Sequence, residues 1–307
     1  ALTKSSDIIE KLLFAFKKIK GAYSLVIMAE DKLIAARDPL GFRPLCVGKL
    51  NDSWCIASET CAFDLIEAQY IREVEPGEIV IIDKGGLESI RFSQQKDKFS
   101  HCLFEHVYFS RPDSIVFGET VHVVRRKLGE ALAKEYPLDA DIVVPIPDSG
   151  TSAALGFSHA SGIPLELGVI RNHYIGRTFI QPHQRERDLV VRVKFNVLRE
   201  VIKGKRVIIV DDSIVRGTTS RMRVKNFRRA GAKEVHMRIS CPPHKFPCFY
   251  GIDFPNQKEL IAHTHTLKEI KDFIDVDSMG YLSLEGMLNS VSLPKHHYCT
   301  ACWTGEY

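Results

Sequence analysis

The sequence predicts an α/β protein of two unlike halves. Residues 1–97 read as part of an antiparallel α+β unit, and residues 98–307 as a parallel sheet with helices on both faces. Three observations carry this. The chain has 307 residues, more than one core usually organises. Its first part holds one amphipathic stretch followed by short apolar runs bounded by turn residues. From residue 120 onward, helical and strand periods alternate, the signature of a parallel sheet with crossover helices.

The elements follow in order. DIIEKLLFAFKKIKG places Ile8, Leu12, Leu13, Phe16 and Ile19 on one face and ends at glycine, so a helix is expected. YSLVIMA, KLIAARD, RPLCVGKL, SWCIASE and GEIVIID read as strands of one antiparallel sheet, separated by DPLGF, KLND and EPG, with KGG closing the last. The polar stretch SQQKDKFSH marks the boundary. Beyond it, VHVVRRKLGEALAKEY reads as a helix, DIVVPIP as a buried strand, and GTSAALGFSHASG as a helix closed by Gly162. PLELGVI (strand), VLREVIKG (helix), KRVIIVDD (strand), TTSRMRVKNFRRAG (helix) and EVHMRIS (strand) continue the alternation.

Composition narrows the function classes. The chain is 45% hydrophobic and 26% charged, as soluble globular chains are. A net charge of +4 is too mild for a nucleic-acid surface. No apolar run approaches a bilayer span and no signal peptide is visible, so no membrane partner is expected. Ala1 in place of Met suggests processing or a fragment. The eight cysteines lie mostly in or beside apolar runs, which favours a reducing compartment, the cytoplasm or an organelle such as a plastid. Cys46, Cys55 and Cys61 read as core residues, and Cys241 as structural.

The chemistry concentrates in VIIVDDSIVRGTTS, residues 207–220. A buried strand runs into Asp211 and Asp212, then into Gly217, Thr218, Thr219 and Ser220 at a helix start. Ligands of parallel sheets bind beyond the carboxyl ends of the strands. A helix N-terminus offers unpaired N–H groups to phosphate. Two carboxylates there face something that wants acceptors: sugar hydroxyls, a divalent cation, or both. A phosphorylated ribose satisfies both halves of that description. A double acid also ends strands in receiver-like and hydrolase folds. VVPIPDSGTSAALGF adds a second loop, with Asp148, Ser149, Gly150, Thr151 and Ser152 after a strand, suited to pyrophosphate though also to ordinary turn chemistry. Between the loops lies polar NHYIGRTFIQPHQRERD, where Tyr174, Arg177, Gln184 and Arg187 could close over an anionic substrate; a solvated loop reads the same way.

VIIVDDSIVRGTT resembles the phosphoribosyl-pyrophosphate (PRPP) motif of type I phosphoribosyltransferases. RDPLGFRPL, ASETCAFDL and VEPGEIVIID resemble the glutaminase domain of the PRPP amidotransferase family, an N-terminal-nucleophile type. CLFEHVYFSRPDS, YIGRTFI and CTACWTG resemble that family's transferase part, so the likeness spans nearly the whole chain. It implies transfer of ammonia, derived from glutamine, to PRPP, giving phosphoribosylamine and pyrophosphate at the entry to purine synthesis. It further implies PRPP contacts from Asp148, Gly150, Asp211, Asp212, Gly217, Thr218, Thr219 and Ser220, a lid bearing Tyr174 and Arg177, and Mg²⁺ near Ser149, Asp211 and Asp212. Purine nucleotides as inhibitors and a homotetramer are implied as well. One departure stands out. The family's N-terminal cysteine nucleophile has no counterpart, because ALTKSSDIIEKLLF resembles the middle of that domain. The chain as given is therefore expected to use ammonia but not glutamine, with the exposed strand edges of a partial first domain. A nucleotide-binding regulator and a nucleobase phosphoribosyltransferase are the other readings.

Cys299 and Cys302 form a C-x-x-C pair, which suits a metal, a cluster or a redox couple. Some family members hold a 4Fe–4S cluster, and the resemblance implies Cys102, Cys248, Cys299 and Cys302 as its ligands. Zinc would use the same four thiolates. His263, His265, His296 and His297 read as ordinary surface or core histidines.

Overall fold

The computed structural model describes residues 6–29, 31–93, 98–172, 195–253 and 256–307. The first helix, α1, spans Ile8–Phe16 and is capped by the Asp7 side chain, which accepts from the Ile9 amide. It stops short of the expected glycine, so Ile19 lies outside it and is exposed. Strands β1 (Ser24–Ala29), β2 (Lys32–Arg37), β6 (Glu78–Asp83) and β7 (Gly86–Arg91) form an antiparallel sheet in the order β1-β2-β6-β7. Strands β3 (Cys46–Leu50), β4 (Ser53–Ala57) and β5 (Gln69–Glu73) form a second sheet, ordered β4-β3-β5. The single antiparallel sheet expected from the sequence is thus two. The period-2 alternation of β2 explains why: Ile34 and Ala36 pack under Phe16 of α1, while Ala35 faces Leu45, Val47 and Val74 of the second sheet. Helix α2 (Cys61–Asp64) covers Cys46 with Phe63. Cys46 and Cys61 are buried and Cys55 is half-buried, as expected of core residues. On β1, Val26 and Met28 point outward and are exposed.

The second half opens with β8 (His101–Cys102), a π-turn over Glu105–Phe109, and a small hairpin of β9 (Ile115–Val116) and β10 (Glu119–Thr120). Then α3 (Val121–Glu135) leads to β11 (Ile142–Pro145), and α4 (Thr151–Ser161) ends at Gly162, whose φ of 73° is the left-handed closing geometry. Strands β12 (Val169–Arg171) and β13 (Phe195–Val197) pair antiparallel, so PLELGVI gives a short strand with only an isolated bridge at Leu165. After the short α5 (Arg199–Ile202) come β14 (Arg206–Asp211), α6 (Thr218–Arg229) and β15 (Glu234–Ile239). Helices α7 (Ile261–Thr264) and α8 (Leu267–Ile274) precede β16 (Ser278–Tyr281), and β17 (Tyr298–Cys299) returns to pair in parallel with β8.

Strands β11, β14, β15 and β16 form one parallel sheet in that order. Strand β11 and the centre of β14 are wholly apolar, as suits a sheet covered on both faces, while β15 carries buried His236 and Arg238. Helices α3 and α4 cross through glycines. A Cβ on Gly129 would stand 1.8 Å from the Ala153 carbonyl oxygen, and one on Gly156 would stand 2.0 Å from that of Arg126. Among the described residues no helix is long and apolar enough to cross a membrane.

Candidate active site

The two sequence motifs meet at the carboxyl edge of the parallel sheet. Strands β11 and β14 run in register, Pro145 opposite Val210, so the loops that leave them start side by side. The Ile146 amide donates to the Val210 carbonyl at 2.9 Å, and the Gly150 amide turns back to the Ile146 carbonyl at 3.0 Å. Gly150 lies so close to the acid strand that a Cβ would meet the Val210 oxygen at 2.6 Å and the Ile146 oxygen at 2.8 Å. The Ser149 hydroxyl donates to the Asp212 carboxylate, tying the first loop to the acid pair. Asp148 projects outward and pairs with Arg171.

Asp211 and Asp212 are both buried, but their partners differ. Asp212 accepts from the hydroxyls of Ser149 and Ser213. Asp211 accepts from its neighbour's amide at 3.1 Å and is paired with the guanidinium of Arg223 from α6. Burial raises the Asp211 carboxyl above its ordinary range, and the Asp212 charge adds to this while Arg223 opposes it. Arg125 lies behind the π-turn, donating to the carbonyls of His106 and Ser110 at 2.6 and 2.8 Å. Burial draws its guanidinium down to about 10, against an upward pull from Asp212.

Gly217 opens α6 with φ 74°, a conformation that suits glycine, and packs on Ile261. Thr218 and Thr219 are exposed at the helix start, whereas Ser220 is buried. The loop is steadied from outside by an Arg216–Glu259 ion pair at 2.7 Å and by the Ile261 amide donating to Val215 at 2.9 Å. The structure therefore brings Asp148, Ser149, Gly150, Asp211, Asp212, Gly217, Thr218, Thr219 and Ser220 to one edge. Tyr174, Arg177, Gln184 and Arg187 lie outside the described residues. The arginines at 125, 171 and 223 were not singled out from the sequence. Arg223 carries the one available signal: a cation at a position of TTSRMRVKNF where the helical period calls for an apolar residue, between Ser220, Val224 and Phe227, all buried.

The four cysteines also converge. Cys102 and Cys299 are register partners of β8 and β17. The Cys302 carbonyl accepts from the Lys245 and Phe246 amides, both at 3.1 Å, and the Cys248 sulfur accepts from the Tyr250 amide at 3.3 Å. Burial lifts the Cys302 thiol well above its usual range, with further upward pushes from Cys102, Cys241, Cys299 and Cys248. Burial likewise pushes Cys102 up to about 12, against a downward pull from Arg43. Among the described residues no group of three or more His, Cys, Asp or Glu side chains stands in position to hold a metal ion. Cys241 is buried, within electrostatic reach of Cys302, and its thiol donates to the Pro242 carbonyl at 3.3 Å.

A family model described as a glutamine amidotransferase domain matches residues 4–64. The amidophosphoribosyltransferase of Methanocaldococcus jannaschii is 50% identical, the alignment covering 100% of this chain and 68% of that protein. The chain belongs to the amidophosphoribosyltransferase family. Chloroplastic amidophosphoribosyltransferase 1 of Arabidopsis thaliana is 49% identical over 100% of this chain and 54% of its own length. A glutamine PRPP amidotransferase from B. subtilis, solved with ADP and GMP, superposes with a TM-score of 0.92 at 48% identity, covering 100% of this chain and 68% of that one. The chain thus spans about half to two thirds of the length of these amidophosphoribosyltransferases. The fold is the one the motifs led to: antiparallel sheets first, then the parallel phosphoribosyltransferase sheet.

Proposed function

We propose that this chain catalyses amidophosphoribosyl transfer, as the names of its relatives describe for them. Ammonia attacks C1 of PRPP, the bond from C1 to the pyrophosphate oxygen breaks, and a proton leaves the new amine. The products are phosphoribosylamine and pyrophosphate. Residues 1–97 belong in this reading to the glutamine amidotransferase unit that delivers ammonia, and residues 98–307 to the transferase. The observation that carries the proposal is the union of two loops at one sheet edge, with Ser149 bonded to Asp212.

The residues have separate tasks. The Asp148–Gly150 turn, at the start of α4, receives pyrophosphate on backbone N–H groups other than that of Gly150, which the Ile146 carbonyl takes. The Gly217–Ser220 turn does the same for the terminal phosphate. Asp212, already an acceptor for two hydroxyls, takes hydroxyls of the ribose. A buried acid pair beside the Ser149 hydroxyl suits the few oxygen ligands Mg²⁺ takes from a protein. Ser149, Asp211 and Asp212 would hold the ion, which neutralises charge on the leaving pyrophosphate when bound. Rate then comes from alignment and from dipoles aimed at the leaving group.

For the cysteine site, burial raises the thiols of Cys102, Cys299 and Cys302 against ionisation, and bonding to a cationic cluster would offset that cost. Cys102, Cys248, Cys299 and Cys302 would carry a 4Fe–4S cluster that clips the tail to the start of the transferase unit. Eight unpaired cysteines and a chloroplast-type relative support a reducing compartment, cytoplasm or plastid. The ADP and GMP bound to the B. subtilis relative support purine nucleotides as inhibitors. The test is pyrophosphate release from PRPP in Mg²⁺ with ammonium as nitrogen source. Ammonium-dependent release is expected. Release that depends on a purine base, or none at all, overturns the assignment.

A further inference from the structure

The acid pair contains an asymmetry that the transfer reaction does not require. Both carboxylates are buried and adjacent, yet among the described residues Asp211 alone forms an ion pair, Arg125 acting on Asp212 only through space. Arg223 reaches it from the sheet-facing side of α6, amid buried Ser220, Val224 and Phe227. Its guanidinium lies 5.1 Å from the centre of the Phe195 ring, and its Nε has no hydrogen-bond partner among the described residues. The side chain is 18% exposed against 4% for Asp211. It is not a solvated arginine that happens to lean on an acid: packing on both sides aims it there. Neighbouring Arg221 shows the contrast, turning outward to stack on Phe273 at 4.8 Å.

We propose that Arg223 is a built-in counter-ion of the substrate site, a positioning residue that occupies Asp211 until a divalent cation or the ribose diol displaces it. This rests on the PRPP reading above. Without Arg223 the pocket would present two adjacent buried carboxylates and bind a cation readily. With it, one of the two negative charges is already matched. Cation entry is therefore an exchange: Asp211 loses a charge-assisted hydrogen bond as it gains a metal-bound water or a sugar hydroxyl. The arrangement lowers affinity for a bare divalent cation and makes Mg²⁺ and PRPP bind best together. Arg223 sets how much of both is needed, while Asp212, held by neutral hydroxyls, stays open.

The measurement is Mn²⁺ binding to the full chain without substrate, read by the loss of free-ion electron paramagnetic resonance signal. Arg223→Met should bind Mn²⁺ at least about fivefold more tightly than the parent, the scale of one charge-assisted bond. Arg223→Lys keeps the cation and should stay within about twofold of the parent. Arg223→Gln serves as the uncharged variant if Arg223→Met does not fold. In turnover at limiting Mg²⁺, KM for PRPP should fall in the uncharged variants by more than kcat moves, a split that mere loss of packing would not produce. Equal or weaker Mn²⁺ binding by both uncharged variants overturns the proposal. The two readings separate cleanly. If the parent turns over PRPP and Mn²⁺ affinity does not respond, the counter-ion falls and the PRPP site stands. If affinity responds but the parent never releases pyrophosphate, the counter-ion stands and the PRPP reading falls.

Discussion

Gly150 offers the sharpest single perturbation. Its φ is −75°, open to any residue, so the position does not need glycine for its torsion. It needs it for room: an added Cβ would lie 2.6 Å from the Val210 oxygen, 2.8 Å from the Ile146 oxygen and 3.3 Å from the Asp211 Cα. All three are backbone atoms, and none can rotate away. Gly150→Ala must therefore push the Asp148–Gly150 loop off the acid strand by a good part of an ångström. Overpacking of this kind costs about 1–3 kcal/mol, which lowers the melting temperature of a domain this size by roughly 2–12 °C. Displacement of a positioning loop by about 1 Å costs on the order of 10²-fold in rate. Gly162→Ala is the control. Its φ is 73° and nothing lies within 4 Å, so the alanine costs about 1 kcal/mol of backbone strain and nothing at the site. Pyrophosphate release and thermal melting, measured on both variants, decide the matter. If Gly150→Ala turns over like Gly162→Ala, the loop does not depend on contact with the acid strand, and the geometry argued here is not the working one.

Gly156→Ala should destabilise more than Gly150→Ala, by at least about 3 kcal/mol, because the added methyl would fall 2.0 Å from the Arg126 carbonyl at the α3–α4 crossing; denaturant melts check this. His106 is buried with no hydrogen-bond partner on either ring nitrogen among the described residues, and burial draws it down to about 4 from 6.5. The folded state therefore binds fewer protons than the unfolded chain between those values. Its contribution is intact above pH 6.5 and is lost as pH falls towards 4, about 3 kcal/mol in all, and His106→Leu should flatten that part of the acid-melting curve. Glu105→Gln removes a carboxylate that takes Arg43 at 2.5 Å and Ser110 at 2.6 Å, leaving Arg43 half-buried without its anion. A loss of about 2–3 kcal/mol is expected, seen as easier proteolysis between the two halves. Cys299→Ser should lose both iron and sulfide from protein isolated without oxygen, while retention of either argues against the cluster.

The fold was legible where a local period met a local stop signal. Helix α4 is an example: small residues between a Pro-Asp-Ser-Gly turn and a terminal glycine, and it spans Thr151–Ser161. Strand β14 is another, four apolar residues ending at an acid. The second antiparallel sheet was not legible, because alternation along β2 says that both faces are buried but not what buries them. QYIRE and GLESIR escaped notice for a related reason: they are edge strands, β5 and β7, too polar to stand out from loops. At the site, the spacing of one strand and one turn disclosed Asp211, Asp212 and Gly217. It could not disclose Arg125, whose relevance comes from what lies opposite it in space, and Arg223 shows only as a cation on the buried period of α6.

The two halves are joined by side chains of the first that bond backbone amides of the second. Glu59 accepts from the Arg111 amide at 2.7 Å and the Ser114 hydroxyl at 2.8 Å, and Thr60 accepts from the Ile115 amide at 2.8 Å. Glu73 accepts from the Phe117 amide at 2.6 Å while also pairing with buried Arg37. Three side chains of the first unit thus satisfy backbone amides of one loop in the second. On the far side of that loop, Arg125 holds the carbonyls of His106 and Ser110 and lies within electrostatic reach of Asp212. The segment from 105 to 117 is therefore held by the first unit on one side and by Arg125 of α3 on the other. A shift of this loop would take the amides of Arg111, Ile115 and Phe117 away from these acceptors.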